Sequence, residues 1–230
     1  MSPNRDRLLR TARRMAPMLA DVVFVGGQMV ELLITEPAAV RIRPTDDVDV
    51  VAHVTTRTAY HDLQMRLVAL GFAPDHRLNA PICRMRTSDD LVLDVMPVDE
   101  RVLGFSNRWY PLALDTATVV VLAPDLTIRA ISAPAFLATK WEAFRDRGAD
   151  DPFLSHDLED IINVMAGRGH VIEEVAASAE DARLFIASET RAFLANRWAN
   201  DIVAGSLPDA RRFPGFADDV VARLRALAAV

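Results

Sequence analysis

The character of the chain changes at Pro134. Ahead of it, short apolar runs bounded by Gly, Pro or Asp recur at 22–25, 47–54, 82–87, 91–96, 119–122 and 126–131, and their length and alternation predict strands. Helical spacing interleaves with them over 5–20, 28–34 and 58–70, and Gly71 fits the stop of the last. Beyond Pro134 the apolar spacing is helical to Val230, with breaks at Gly167-Arg168-Gly169, Gly205 to Pro208 and Pro214-Gly215. Strands gathered in one half and helices in the other predict an α+β protein. A sheet flanked by helices is expected over residues 1–132 and a helical region over 133–230.

Within the first half, Val22-Val23-Phe24-Val25 runs into Gly26-Gly27 and then a helix. A glycine turn between strand and helix lets backbone approach a phosphate closely, although the same dipeptide also makes a plain turn. Downstream stands Pro44-Thr45-Asp46-Asp47-Val48-Asp49-Val50-Val51. Strand alternation sends Asp47 and Asp49 to one side, roughly 7 Å apart along the chain, and Val48 and Val50 to the other. Asp46 then faces away from the pair. Two carboxylates about 4 Å apart repel by roughly 4 kcal/mol at an effective dielectric near 20, unless one is protonated or a cation offsets them. Oxygen ligands without His or Cys suit magnesium; a solvated strand end carries the same triplet. A third acid, Asp94, lies on the second arm of a hairpin turning at Ser88-Asp89-Asp90, where it alternates with Leu93 and Val95.

In the second half, Lys140 falls about 40° from each of Phe136 and Phe144 on a helical wheel, within the apolar stripe. Its ammonium either snorkels to water or supplies positive charge to a bound phosphate. The next helix opens at Ser155-His156-Asp157-Leu158-Glu159-Asp160, with Leu154, Leu158, Ile161, Ile162 and Met165 as its apolar face. Ser155 is a natural N-cap, and Asp157 and Asp160 follow one edge, where acids also suit the helix dipole. Contiguous Ser-His-Asp on a helix cannot converge as a hydrolase triad.

Composition narrows the function classes. With a net charge of −6 over 230 residues, a protein that coats nucleic acid by bulk electrostatics is excluded. Local basic patches remain, at Arg5, Arg7, Arg10, Arg13 and Arg14 on the first helix and at Arg41 and Arg43. The single Cys83 rules out an internal disulfide and reads as a small core residue. No apolar run approaches 18 residues, and the basic N-terminus lacks the apolar core of a signal peptide, so a cytoplasmic protein without a membrane span is expected.

Taken in order, Gly26-Gly27, Asp47-Val48-Asp49 and Asp94 resemble the pattern of the polymerase-beta superfamily of nucleotidyltransferases. Lys140 with Trp141-Glu142-Ala143-Phe144-Arg145-Asp146-Arg147-Gly148, followed by Asp157-Leu158-Glu159-Asp160, is similar to the lysine and D-x-x-D motifs of the AbiEii-like toxin group. The likeness spans residues 22–168. It departs from the pattern in two places: glycine stands where serine is frequent, and an insertion over Pro37 to Pro44 lengthens the gap before Asp47. The resemblance implies a nucleotidyltransferase-type mixed sheet, with the helical region completing a nucleotide and acceptor cleft. Asp47, Asp49 and Asp94 would bind two magnesium ions, and with Lys140 they would form the catalytic set, Asp94 acting as general base. Gly26, Gly27, Thr45, Lys140, Asp157 and Asp160 would bind NTP, the last two positioning either the nucleotide or Lys140. The implied reaction moves a nucleoside monophosphate from NTP to an acceptor hydroxyl and releases pyrophosphate. A tRNA 3′ end or other RNA is the implied acceptor, and a toxin paired with an antitoxin protein is the implied setting. Two alternatives stand beside it: transfer to a small molecule or protein side chain, and a nucleotide-binding module without catalysis.

Overall fold

The computed structural model describes residues 1–36, 40–208 and 212–230. Residues 37–39, part of the insertion before Asp47, lie outside that set. The chain forms two compact units, Met1–Met29 with Pro44–Ser132, and Val30–Arg43 with Ala133–Val230. The segment 30–43 therefore belongs with the helices that follow residue 132.

The first unit is built on a seven-stranded mixed sheet flanked by helices. Its strands are β1 (Val22–Val25), β2 (Val48–Ala52), β3 (Phe72–Pro74), β4 (Arg84–Thr87), β5 (Val92–Pro97), β6 (Thr118–Ala123) and β7 (Leu126–Ala130). The spatial order is β3-β4-β5-β2-β1-β7-β6. β1 runs antiparallel to β2 and parallel to β7, and β2 runs parallel to β5. Every residue of β1 and of β5 is buried, as expected of central strands covered on both faces. At the margin, β6 leaves Val119 and Val121 exposed.

The helices of this unit are α1 (Pro3–Arg14), then α3 (Arg57–Ala69), α4 (Glu100–Leu103) and α5 (Tyr110–Asp115), with α2 (Val30–Leu33) assigned to the other unit. Ser2 caps α1 by accepting from the Arg5 N–H at 3.1 Å, and Leu8 and Ala12 turn its apolar side inward. The helix expected over 5–20 stops at Arg14, and Ala16–Asp21 form a 3₁₀ segment instead. Pro17 is the cause, since it has no N–H to continue the helical ladder. α3 is capped by Thr56 and ends beside Gly71, whose φ is +88°. The strand Phe72–Pro74 and the helices α4 and α5 carry no signal in the sequence reading; each is six residues or shorter, too brief for periodicity to show.

The second unit is helical: α2, α6 (Ala133–Arg147), α7 (His156–Gly167), α8 (Val171–Ala176), α9 (Glu180–Leu194), α10 (Ala199–Ser206) and α11 (Phe216–Leu227). α6 is its central helix and packs on α7, α8 and α9. Ten of its residues are buried, from nearly all sides rather than along one stripe. Trp141, fully buried, meets Phe144 edge-on at 5.8 Å and Phe193 at 6.0 Å between ring centres. Leu154 does not join the apolar face of α7; it precedes the helix and is 76% exposed. Among the described residues, no helix is long and apolar enough to cross a membrane.

Candidate functional site

Asp49 and Asp94 are brought together by strand pairing. In the parallel register of β2 and β5 they are direct partners, so residues 45 apart in sequence lie side by side at one level of the sheet. Asp47 immediately precedes β2, and Val48 and Val50 are fully buried on the opposite facing. Asp46 turns away; its side chain is fully exposed and lies 3.6 Å from Arg7. Gly26 closes the same end of the sheet, because Val25 pairs with Asp49. Its φ of +74° favours glycine, and a Cβ there would overlap the Asp49 carboxylate. Gly27 follows, buried, at the start of a short 3₁₀ turn over Gly27–Met29.

A cation not anticipated from the motifs joins two of these acids. Arg84 of β4 is the antiparallel register partner of Asp94. Its Nε donates to Asp94 Oδ1 at 2.8 Å and its Nη2 to Asp94 Oδ2 at 2.7 Å, while the same Nη2 donates to Asp47 Oδ2 at 2.6 Å. Hydrogen bonding to Asp94 holds the guanidinium above its ordinary pKa, against the opposing pull of burial. Two carboxylate oxygens, one from β5 and one from the residue ahead of β2, thus share one nitrogen. Beneath them, Tyr60 donates to the Val95 carbonyl at 3.0 Å, and burial pushes the Cys83 thiol up to about 12, which leaves it an inert packing group.

Thr45 is held by its backbone: its N–H donates to Asn4 at 3.0 Å and its carbonyl accepts from Arg7. Thr45 Oγ1 and Gln28 Oε1 are buried and have no hydrogen-bond partner among the described residues, two polar atoms that a ligand or water would satisfy. Four of the five arginines of α1, all but the exposed Arg13, turn to their own unit. Arg5 donates to the Leu122 carbonyl and Arg10 and Arg14 pair with Asp89, so a free basic stripe along this helix is not what the fold presents.

Among the described residues, no three His, Cys, Asp or Glu side chains stand together as a ready-made metal cage. Asp47, Asp49 and Asp94 are nevertheless the donors that fit a hard divalent ion. All are carboxylates, two are register partners, and two already share one cationic atom in the form of Arg84 Nη2.

In the helical unit, Lys140 does not snorkel. It is 8% exposed, and its Nζ lies 3.0 Å from Asp157 Oδ1 and 2.7 Å from Asp160 Oδ2. Burial pulls the ammonium's pKa down, but Asp160 and Asp157 outweigh it and leave the value raised. Asp157 also receives both arms of Arg147, at 2.8 and 3.0 Å. Burial pushes its carboxyl up, yet Arg147 and Lys140 prevail and hold it at about 2. Arg43, one of the two arginines ahead of the acidic triplet, lies 3.6 Å from Asp160 and 3.5 Å from Glu159. Both Asp157 and Asp160 contact Lys140. One turn further along α7, Asn163 is 1% exposed, and neither amide atom has a partner among the described residues.

No protein-family model matches the chain, and no curated protein matches it.

Three outcomes follow from this geometry. Gly26→Ala is expected to lose about 2 kcal/mol or more in urea unfolding, because the left-handed backbone is strained by a Cβ and Asp49 must move. Lys140→Met is expected to lose about 3–5 kcal/mol by the same measurement, since two buried carboxylates lose their shared cation. Asp157, depressed from 3.8 to about 2, contributes stability above its unfolded pKa that is lost as pH falls toward 2. In Asp157→Asn, the acid-side decline in stability should therefore be shallower, by about 2 kcal/mol between pH 5 and 2.

Proposed function

We propose that the protein is a magnesium-dependent nucleotidyltransferase of the polymerase-beta type, moving a nucleoside monophosphate from NTP to an acceptor hydroxyl. The observation that carries the reading is the pairing of Asp49 with Asp94 in adjacent strands, with Asp47 joined to Asp94 through one shared cation. An acid-hydrophobic-acid triplet and a later single acid, separate in sequence, meet at one sheet end beside a positive-φ glycine. Like charges gathered at one sheet end around a buried Asp94 favour a role in phosphoryl chemistry.

In this reading Asp47, Asp49 and Asp94 hold the divalent ions. Bound there, magnesium lowers the pKa of the acceptor hydroxyl and offsets charge on the α-phosphate. Asp94, nearly buried, accepts the hydroxyl proton as the acceptor oxygen bonds to the α-phosphorus and the bond to pyrophosphate breaks. The resemblance assigns Gly26 and Gly27 to phosphate through their backbone, and Thr45 Oγ1 is available to a ligand. The resemblance assigns Lys140 to nucleotide phosphate; in its own unit Asp157 and Asp160 keep it charged. The resemblance to AbiEii-like toxins makes a tRNA 3′ end the first acceptor to examine, and an antitoxin the partner to seek.

The test is incubation with magnesium, each α-labelled NTP and total tRNA. Label is expected on RNA with wild type, background with Asp47→Ala and Asp94→Asn, and most of the signal with Asp46→Ala, whose side chain points to solvent. Label on an antibiotic or a protein instead would redirect the acceptor. No transfer by wild type, with all four nucleotides and a range of acceptors, contradicts the proposal.

A further inference from the structure

The site contains its own competitor for the metal. Arg84 Nη2 stands 2.6 Å from Asp47 Oδ2 and 2.7 Å from Asp94 Oδ2. Magnesium ligated by those oxygens would draw on the same two carboxylates that the guanidinium now engages. Repulsion between the two cations sets them in competition for these oxygens. The fork on Asp94 engages both of its oxygens, so neither is left outside the contact.

We propose that Arg84 is a built-in counter-cation that competes with the divalent ion for Asp47 and Asp94, so that loading the metal requires the guanidinium to swing off both. This rests on the metal-binding role given to the three aspartates above. Its physical basis is a balance of like charges. With Arg84 in place, one of the two carboxylate charges is offset, and β4 is tied to Asp94 of β5 and to Asp47 ahead of β2 by three charge-assisted bonds. Incoming metal must break them and tolerate a guanidinium nearby until it moves away. The side chain is placed to move: it is 22% exposed, while the Asp94 side chain is 10% exposed. Arg84 is therefore a positioning residue that sets the metal concentration at which the site fills, rather than a group that reacts.

Manganese, followed by the loss of its free-ion electron paramagnetic resonance signal, supplies the test on the full chain. Arg84→Gln is expected to bind manganese on the order of tenfold more tightly than wild type, as one or more charge-assisted bonds no longer compete. Without metal, in chelator, the same variant should melt at lower temperature than wild type, and manganese should raise its melting point by more. Arg84→Lys keeps a charge but loses the fork, so its affinity should fall between the two; it decides the matter if Arg84→Gln does not fold. Equal or weaker manganese binding by the variants, with wild type binding normally, overturns the competition and leaves the metal site standing. If neither wild type nor variants bind manganese at millimolar concentration, the metal-binding reading falls together with it.

Discussion

The first unit is organised around carboxylates that the sheet forces into proximity. Parallel pairing of β2 with β5 fixes Asp49 beside Asp94, and no side-chain rotation can separate two residues whose backbones are hydrogen-bonded neighbours. The adjoining strand β4 supplies a cation at the register position opposite Asp94, and it pairs with Asp94 and with Asp47. The surrounding valines, no more than 6% exposed in β2, β1 and β5, give the strands the rigidity that keeps the carboxylates where they are.

The helical unit solves the same electrostatic problem with a different cation. Asp157 and Asp160, one turn apart on α7, share Lys140 of α6, and Arg147 and Arg43 complete the neutralisation. Arginine suits the strand site because its planar fork spans two carboxylates. Lysine suits the helical one because a compact ammonium on a long stem can rise through an apolar helix face to meet two acids. The two devices also differ in permanence. Lys140 is walled in at 8% exposure between two acids, whereas the Arg84 side chain keeps a route to solvent.

Much of this was legible in the sequence. The strands at 22–25, 91–96 and 126–131, the hairpin turn at Ser88-Asp89-Asp90 and the Ser155 cap are local signals, and the fold places them within a residue or two. The α+β class followed from them. Arg84 was missed because the hairpin was read as two arms rather than as pairs; counting outward from the turn would have set Arg84 against Asp94. Burial of Asp157 was missed for another reason. A first-turn acid is adequately explained by the helix dipole, and only tertiary packing shows that it faces a lysine and an arginine. The all-round burial of α6 likewise depends on α7, α8 and α9, which no wheel of α6 alone contains.

The most direct test is anomalous diffraction from crystals soaked with manganese and a non-hydrolysable NTP. A manganese peak about 2.2 Å from carboxylate oxygens of Asp47 and Asp94, with the Arg84 guanidinium turned away from both, is what the account predicts. A nucleotide-bound crystal with no peak at these aspartates and the Arg84 fork still closed on Asp94 would contradict it.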